Sequence, residues 1–203
     1  MKPSSHQETG ERPALCVDLD NTLIRTDLLW EGVLQLLAAK PLSLLRFPAI
    51  MLSGRAAFKA WVAEQVTVNP ALLPYNASVL KLVKAERATG RRIVLATAAD
   101  RQSATTVADH LQLFDTVIAT DQDTNRIGRA KLQAVRELCG SAGFDYVGDS
   151  RTDLPLWAEA NVAHVVAPDR KLLRQVQQVC RPQLVDVSRQ SRTKQFLRLL
   201  RPH

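Results

Sequence analysis

The sequence predicts an α/β fold: a parallel sheet layered between helices, with a small helical segment inserted after the first strand. Three observations carry this expectation. Beyond "LPYN", short apolar and β-branched runs alternate with helical stretches of about three turns. The polar residues able to do chemistry stand where those runs end, the edge at which such sheets bind ligands. Residues 28–73, between the first run and the second, are helical in texture throughout.

Taken in order, residues 1–12 are polar and read as disordered, with no apolar stretch of the kind a secretory signal needs. "PALCVDL" is a buried strand that closes on Asp18 and Asp20. Two carboxylates at alternating positions are out of place in a core strand, because burying an unpaired carboxylate is expensive. The end of this strand is therefore a candidate site. In the insertion, "DLLWEGVLQLLAA" has helical spacing, "KPLSLLRFPAIMLSG" is apolar but broken by Pro41 and Pro48, and "RAAFKAWVAEQV" is helical again. Residues 36–52 also carry Lys40 and Arg46 and are too interrupted to span a bilayer. They read as packing within a helical cap, with a position on a membrane surface as the alternative.

Next, "ASVLKLVKAERATG" is a helix stopped by Gly90, followed by the strand "RIVLAT" and the helix "RQSATTVADHLQL". The strand "FDTVIAT", the helix "GRAKLQAVRELCG" and the strand "FDYVG" follow, then the helix "RTDLPLWAEA" and the strand "VAHVVAP". The expected organisation is a core over residues 13–27 and 74–180, a cap over 28–73, and a basic linker over 181–203.

Apolar residues make up 46% of the 203 and charged ones 23%, which fits a globular chain with a sizeable core. At 5% aromatics, that core is built mainly of Leu, Val and Ala. Cys16, Cys139 and Cys180 lack metal-ligand spacing and read as reduced thiols. Charge is uneven. Residues 170–203 hold nine bases and one acid, Asp186, for +8, while the first 169 residues hold 18 bases and 19 acids. A basic tail on a near-neutral globule points to an anionic surface, lipid before nucleic acid, or to a plain solvated tail. Without interleaved aromatics or a recognition module, nucleic acid is not expected as a partner.

Asp18, Asp20, Thr97, Asp149 and Asp153 lie at or just past strand ends, and Lys131 opens a helix. Carboxylates converging on one point repel unless a cation sits between them. Their hard oxygens suit Mg²⁺, which takes one or two carboxylates together with a substrate phosphate. Thr97 and the amides after it, Ala98 first, could hold phosphate oxygens, with Lys131 neutralising the rest. Asp18 could attack phosphorus, and Asp20 could protonate the leaving oxygen and then activate water. Thr22, Ser150 and Asp153 are supporting residues; Asp153 could cap its helix, tether Lys131 or join the metal shell. Asp121 and Asp123 read as loop acids, and His110 and His164 as structural.

"DLDNT" resembles the first motif of the haloacid dehalogenase-like hydrolase superfamily, Asp-x-Asp-x-Thr. Thr97 in "LATAAD" is similar to the second motif, Lys131 in "GRAK" to the third, and "GDSRTD", with Asp149 and Asp153, to the fourth. Asn21 stands where many members have Gly, a mild departure, since Asn tolerates unusual backbone angles. The resemblance implies a Rossmann-like core, Mg²⁺ and an aspartyl-phosphate intermediate. By it, Asp18 is nucleophile and metal ligand, Asp20 is acid/base with its backbone carbonyl on the metal, and Asp149 is a further ligand. Thr97 and Lys131 then bind the phosphoryl group. The insertion resembles the cap of phosphoserine-phosphatase-like members, with Arg25 and Trp30 as substrate-facing candidates.

The wording "DLDNTLIRTDLLWE", "LPYN" and "GFDYVGDSRTDLPLW" also resembles the domain fused ahead of UbiA-type membrane prenyltransferases, and "FLRLLRPH" the entry to their membrane part. That resemblance implies covalent fusion to such a transferase, a place on the cytoplasmic side of the inner membrane, and a soluble fragment that stops short of the membrane domain. The expected function is a Mg²⁺-dependent phosphomonoesterase acting on a polyprenyl-linked phosphoribose or a related prenyl or sugar phosphate. A phosphatase of a soluble metabolite, or a non-catalytic regulatory domain of the transferase, are the alternatives. A response-regulator receiver is disfavoured, since its phospho-accepting Asp would sit on a later strand.

Overall fold

The structure, a computed structural model, describes residues 12–66, 68–120 and 126–185. The expected disorder over residues 1–11, the loop acids Asp121 and Asp123, and the tail from Asp186 onward lie outside the described residues.

Six strands form one sheet in the order β3-β2-β1-β4-β5-β6, every neighbouring pair parallel. They are β1 Ala14–Val17, β2 Ile93–Asp100, β3 Thr116–Thr120, β4 Phe144–Gly148, β5 Ala163–Val166 and β6 Gln183–Val185. The chain builds leftward from β1 to β3 and then returns to β4 on the other side of β1, so the order reverses between β1 and β4. A crevice opens at such a switch point. Val17 pairs with Leu95 on β2 and with Val147 on β4. This register brings residues 18, 97 and 149 to the same edge.

Helices cover both faces. Leu15, Val17, Ile93 and Leu95 point to one face, where Val79 and Val83 of α4 (Ala77–Ala88) and Ala104 and Val107 of α5 (Arg101–Leu111) pack. Ala14, Cys16, Val94 and Tyr146 point to the other, against α6 (Arg129–Cys139), α7 (Leu154–Trp157) and α8 (Arg170–Val179). The period of two along a strand makes this division. It also aims Asp18, two residues past Cys16, at the face that carries α6.

The expected helix over "RTDLPLWAEA" is shorter in the structure. Residues 151–153 form a 3-10 turn fixed by a reciprocal Ser150–Asp153 capping box, and α7 keeps four residues. Within the stretch expected as a linker from residue 181, Gln183–Val185 pair with β5 as an edge strand. Little of that strand is buried, so its sequence carries no apolar alternation to reveal it.

Between β1 and α4 the chain leaves and re-enters the core at adjacent points. Arg25 N–H donates to the Pro74 carbonyl at 2.9 Å and Asn76 N–H to the Leu23 carbonyl at 2.8 Å. The excursion holds α1 (Leu28–Ala39), a 3-10 turn (Pro41–Arg46), α2 (Phe47–Leu52) and α3 (Arg55–Gln65). Asp27 caps α1 by accepting from Leu29 and Trp30 N–H. α1 and α3 cross at Gly32, where a Cβ would meet Val62 Cγ1 at 2.8 Å.

Candidate active site

Asp18 follows the last residue of β1 and is 7% exposed. Its N–H donates to the Val147 carbonyl at 2.9 Å, which pins it between β1 and β4. The chain then turns through a widened loop, with Leu23 N–H donating to the Asp18 carbonyl and Ile24 N–H to that of Leu19. Asn21 takes the left-handed conformation this turn needs, at φ 55°. Its tolerance of such angles explains why a non-glycine residue serves here.

Lys131, near the start of α6, enters from the face Asp18 points to. Its ammonium donates to Asp18 Oδ1 at 2.9 Å, Tyr146 Oη at 2.9 Å and Asp153 Oδ1 at 3.2 Å. Tyr146 donates in turn to Asp153 Oδ1 at 2.8 Å. The other Asp153 oxygen accepts from the N–H and hydroxyl of Ser150. All four of these partners of Asp153 are protein groups, so its carboxylate is held in place. Gly148 makes room for this network, since a Cβ there would meet Asp153 Oδ2 at 2.7 Å and Tyr146 Cε1 at 2.8 Å.

Asp149 is held less firmly. Among the described residues its side chain accepts one hydrogen bond, from Thr22 Oγ1 at 3.3 Å. One carboxylate oxygen from each of Asp18, Asp149 and Asp153 lies within 4.8 Å of the others. Burial, and then the neighbouring Asp18 and Asp153 charges, push Asp149 up to about 8. Burial likewise raises Asp18 to about 6, against the pull of Lys131. Burial works against the Lys131 ammonium, but Asp18 and Asp153 outweigh it and hold the lysine above its ordinary value. One lysine facing three converging carboxylates leaves a surplus of negative charge. A cation coordinated at about 2.1 Å would relieve it. The donor set, all hard oxygen, fits Mg²⁺ and does not favour a softer ion.

Asp20 is not part of that carboxylate group. Its Oδ1 accepts from Leu28 N–H at 2.9 Å, at the N-terminus of α1. Burial first, and then the charge of Asp27, raise Asp20 to about 7, partly offset by the Leu28 hydrogen bond. Among the described residues, the carboxylate that lies beside those of Asp18 and Asp149 is that of Asp153. Any share of Asp20 in a cation falls to its backbone carbonyl, as the resemblance implies.

Thr97 is fully buried, and its Oγ1 accepts from Ala99 N–H at 3.0 Å. The Ala98 carbonyl accepts from Lys59 Nζ of α3 at 2.7 Å and from Thr120 Oγ1 at 2.9 Å. The strand-end loop after Thr97 is therefore tied both to β3 and to the helical insertion. Over Asp20 lies a crevice of ≈ 20 Å³, walled by Leu28, Leu29, Val62, Ala99 and Lys59 among others. That is room for about one water. Trp30, a substrate-facing candidate in the sequence, is 63% exposed. Two residues that sequence reasoning passed over prove central: Tyr146, which bridges Lys131 and Asp153, and Lys59. The one signal for Tyr146 was a hydroxyl at even spacing from Gly148, on the strand that Asp149 follows; nothing local marked Lys59.

The family model described as haloacid dehalogenase-like hydrolase matches residues 15–158. An uncharacterized protein of Sinorhizobium fredii, y4nM, is 38% identical over 154 residues, covering 76% of this chain and 30% of its own length. The chain thus spans about a third of the length of that curated relative. Among solved structures, a protein of unknown function from Bordetella pertussis aligns with TM-score 0.62 at 19% identity, over 86% of this chain and 98% of its own. A substrate-bound phosphoserine phosphatase aligns with TM-score 0.59 at 11% identity, over 94% and 99%. At these identities the structural matches speak to the fold.

Proposed function

The chain belongs to the haloacid dehalogenase-like hydrolase family, and from that premise we propose that it is a Mg²⁺-dependent phosphomonoesterase working through an aspartyl-phosphate. The observation that carries this reading is Asp18, buried at the strand end with Lys131 2.9 Å away and Asp149 and Asp153 within 4.8 Å.

In the proposed reaction Asp18 attacks phosphorus, forming the P–O bond to its carboxylate as the ester P–O bond breaks. Asp20 donates a proton to the departing oxygen; a group raised to about 7 is suited to both giving and taking a proton near neutrality. It then removes a proton from the water that cleaves the acyl phosphate, which releases inorganic phosphate and restores Asp18. Lys131, fixed by Asp153 and Tyr146, stabilises the charge on Asp18 and on the phosphoryl oxygens. Thr97 and the Ala98 amide would complete the phosphoryl cradle, with Thr22 and Ser150 orienting Asp149 and Asp153. Asp18, Asp149 and the Asp20 carbonyl would hold Mg²⁺, whose positive charge offsets that of the phosphate.

For the leaving group, the apolar walls of the crevice over Asp20 support a hydrocarbon-bearing alcohol. The proposed substrate is a polyprenyl-linked phosphoribose or related prenyl phosphate, with a soluble sugar phosphate as the alternative. This finer reading goes with fusion to a membrane prenyltransferase and a place on the cytoplasmic side of the inner membrane, both of which rest on the sequence resemblance.

The test is phosphate release from an aryl phosphate with Mg²⁺, with chelator, and by Asp18→Asn. The expected result is release with Mg²⁺ only, and a loss of ~10⁴-fold or more in the variant. Release that persists in Asp18→Asn would assign the nucleophile elsewhere, and a folded wild type with no release on any phosphate would favour the regulatory alternative. A wide preference for soluble sugar phosphates over a prenyl-linked phosphoribose would overturn the substrate reading alone.

A further inference from the structure

The far end of the helical insertion is the most exposed apolar surface described. Leu42, Leu45, Met51 and Leu52 are 80%, 80%, 62% and 89% exposed, and α2 buries no side chain. Four large aliphatic groups within eleven residues form a patch of the kind that marks an interaction site on a soluble domain. The turn that presents them is anchored. Phe47 meets Phe58 and Trp61 edge-on at 5.3 and 5.6 Å, which fixes the start of α2 to α3.

Charge gives the patch a direction. Between Glu31 and Glu64 the sequence carries Lys40, Arg46, Arg55 and Lys59 and no acid. Lys59 is turned to the core and donates to Ala98, whereas Lys40 and Arg46, which bracket Leu42 and Leu45, are exposed. Aliphatic side chains interleaved with bases, with no acid in that stretch of sequence, complement an anionic bilayer: hydrocarbon enters the acyl boundary and bases meet headgroup phosphates. A second copy of the chain is a poor match, because a twofold contact here would set Lys40 and Arg46 against their own counterparts. No described helix is long and apolar enough to cross a membrane, so the contact is interfacial.

We propose that residues 41–52 form an interfacial docking site for an anionic lipid bilayer, with Leu42, Leu45, Met51 and Leu52 inserted and Lys40 and Arg46 at the headgroups. The site stands on its own exposure and charge and is independent of the phosphatase reading. It also lies at the opposite end of α1 from Asp20, so docking leaves the catalytic residues untouched.

The experiment is co-sedimentation of the full chain with vesicles of equal parts phosphatidylglycerol and phosphatidylcholine, and with phosphatidylcholine alone. Substituting Leu42, Leu45, Met51 and Leu52 together by Ser should weaken binding to the anionic vesicles by about tenfold or more, with the melting temperature unchanged. Lys40→Gln with Arg46→Gln should weaken it about threefold or more at low salt, and less at high salt. If the fourfold variant does not fold, Leu52→Ser alone should still lower binding by about twofold or more. Equal binding by wild type and variants would place any lipid contact outside this turn and overturn the proposal. So would a wild type that sediments with neither vesicle, or one that is dimeric until the four leucine and methionine positions are changed.

Discussion

Near the start of β4, Asp145 gives one carboxylate oxygen to the Arg91 guanidinium and the other to Val162 N–H at 3.0 Å. Arg91 also donates to the Pro13 carbonyl at 2.7 Å and to Glu86 at 3.2 Å, stitching β1, β4 and α4 together. Just past the end of the same strand, Asp149 receives a single 3.3 Å hydrogen bond among the described residues, with two more carboxylates within 4.8 Å. Both ends bury acids beside a cation. At the first, every acid oxygen of Asp145 has a donor; at the second, negative charge is left over. A satisfied buried pair holds the fold, and an unsatisfied cluster is costly unless something else supplies the missing charge.

The sharpest way to break this comparison is to remove a group from each end. Asp18→Asn should abolish turnover and leave the melting temperature at or above that of the wild type, because it removes one of the crowded charges. Arg91→Met should do the reverse: a loss of about 3 kcal/mol in urea unfolding, from the stranded Asp145 carboxylate, with kcat/KM within about twofold of wild type. If Arg91→Met cost activity as heavily as stability, the two ends would not be separable.

Gly148→Ala probes the tightness of the unsatisfied end. Its Cβ would lie 2.7 Å from Asp153 Oδ2, so Asp153 and Tyr146 must shift and release Lys131. The expected outcome is an activity loss of about tenfold to a hundredfold and a stability loss of about 2 kcal/mol. Wild-type kinetics in this variant would show that Asp153 need not be held.

The smallest effect is on pH dependence. Asp18 and Asp149 lie at about 6 and about 8 in the folded protein, raised from 3.8 mainly by burial. An acid whose folded value is raised binds more protons when folded, so stability falls as pH rises from the unfolded value through the folded one. In chelator, the unfolding free energy should therefore drop between about pH 4 and pH 8, by about 1 kcal/mol or more. Mg²⁺ at pH 8 should restore most of that loss. A flat profile in chelator would mean that the carboxylates are not crowded in solution, and the contrast with Asp145 would lose its force.

Local pattern determined much of this molecule. Alternating strands and helices, each ended by its own stop signal, fix a parallel α/β sheet, because strand and helix periods are written residue by residue. The even spacing of Cys16 and Asp18 already assigns Asp18 to one face of β1. The left-handed turn at Asn21 and the polar strand ends at Thr97 and Asp149 are equally local. What only the tertiary structure decided is which of these groups meet. Lys131 reaches Asp18 across 113 residues of chain. Tyr146 becomes a bridge because α6 and the Ser150–Asp153 turn converge over Gly148, and Lys59 arrives at Ala98 through the seating of α3 on β2. It was likewise tertiary packing that drew Asp153, and not Asp20, into the carboxylate group: the N-terminus of α1 offers Asp20 a backbone N–H that no reading along the chain could place. Periodicity determines which way a side chain points, but the partner it finds depends on how distant helices pack on the sheet, and that is set by the summed burial of both faces.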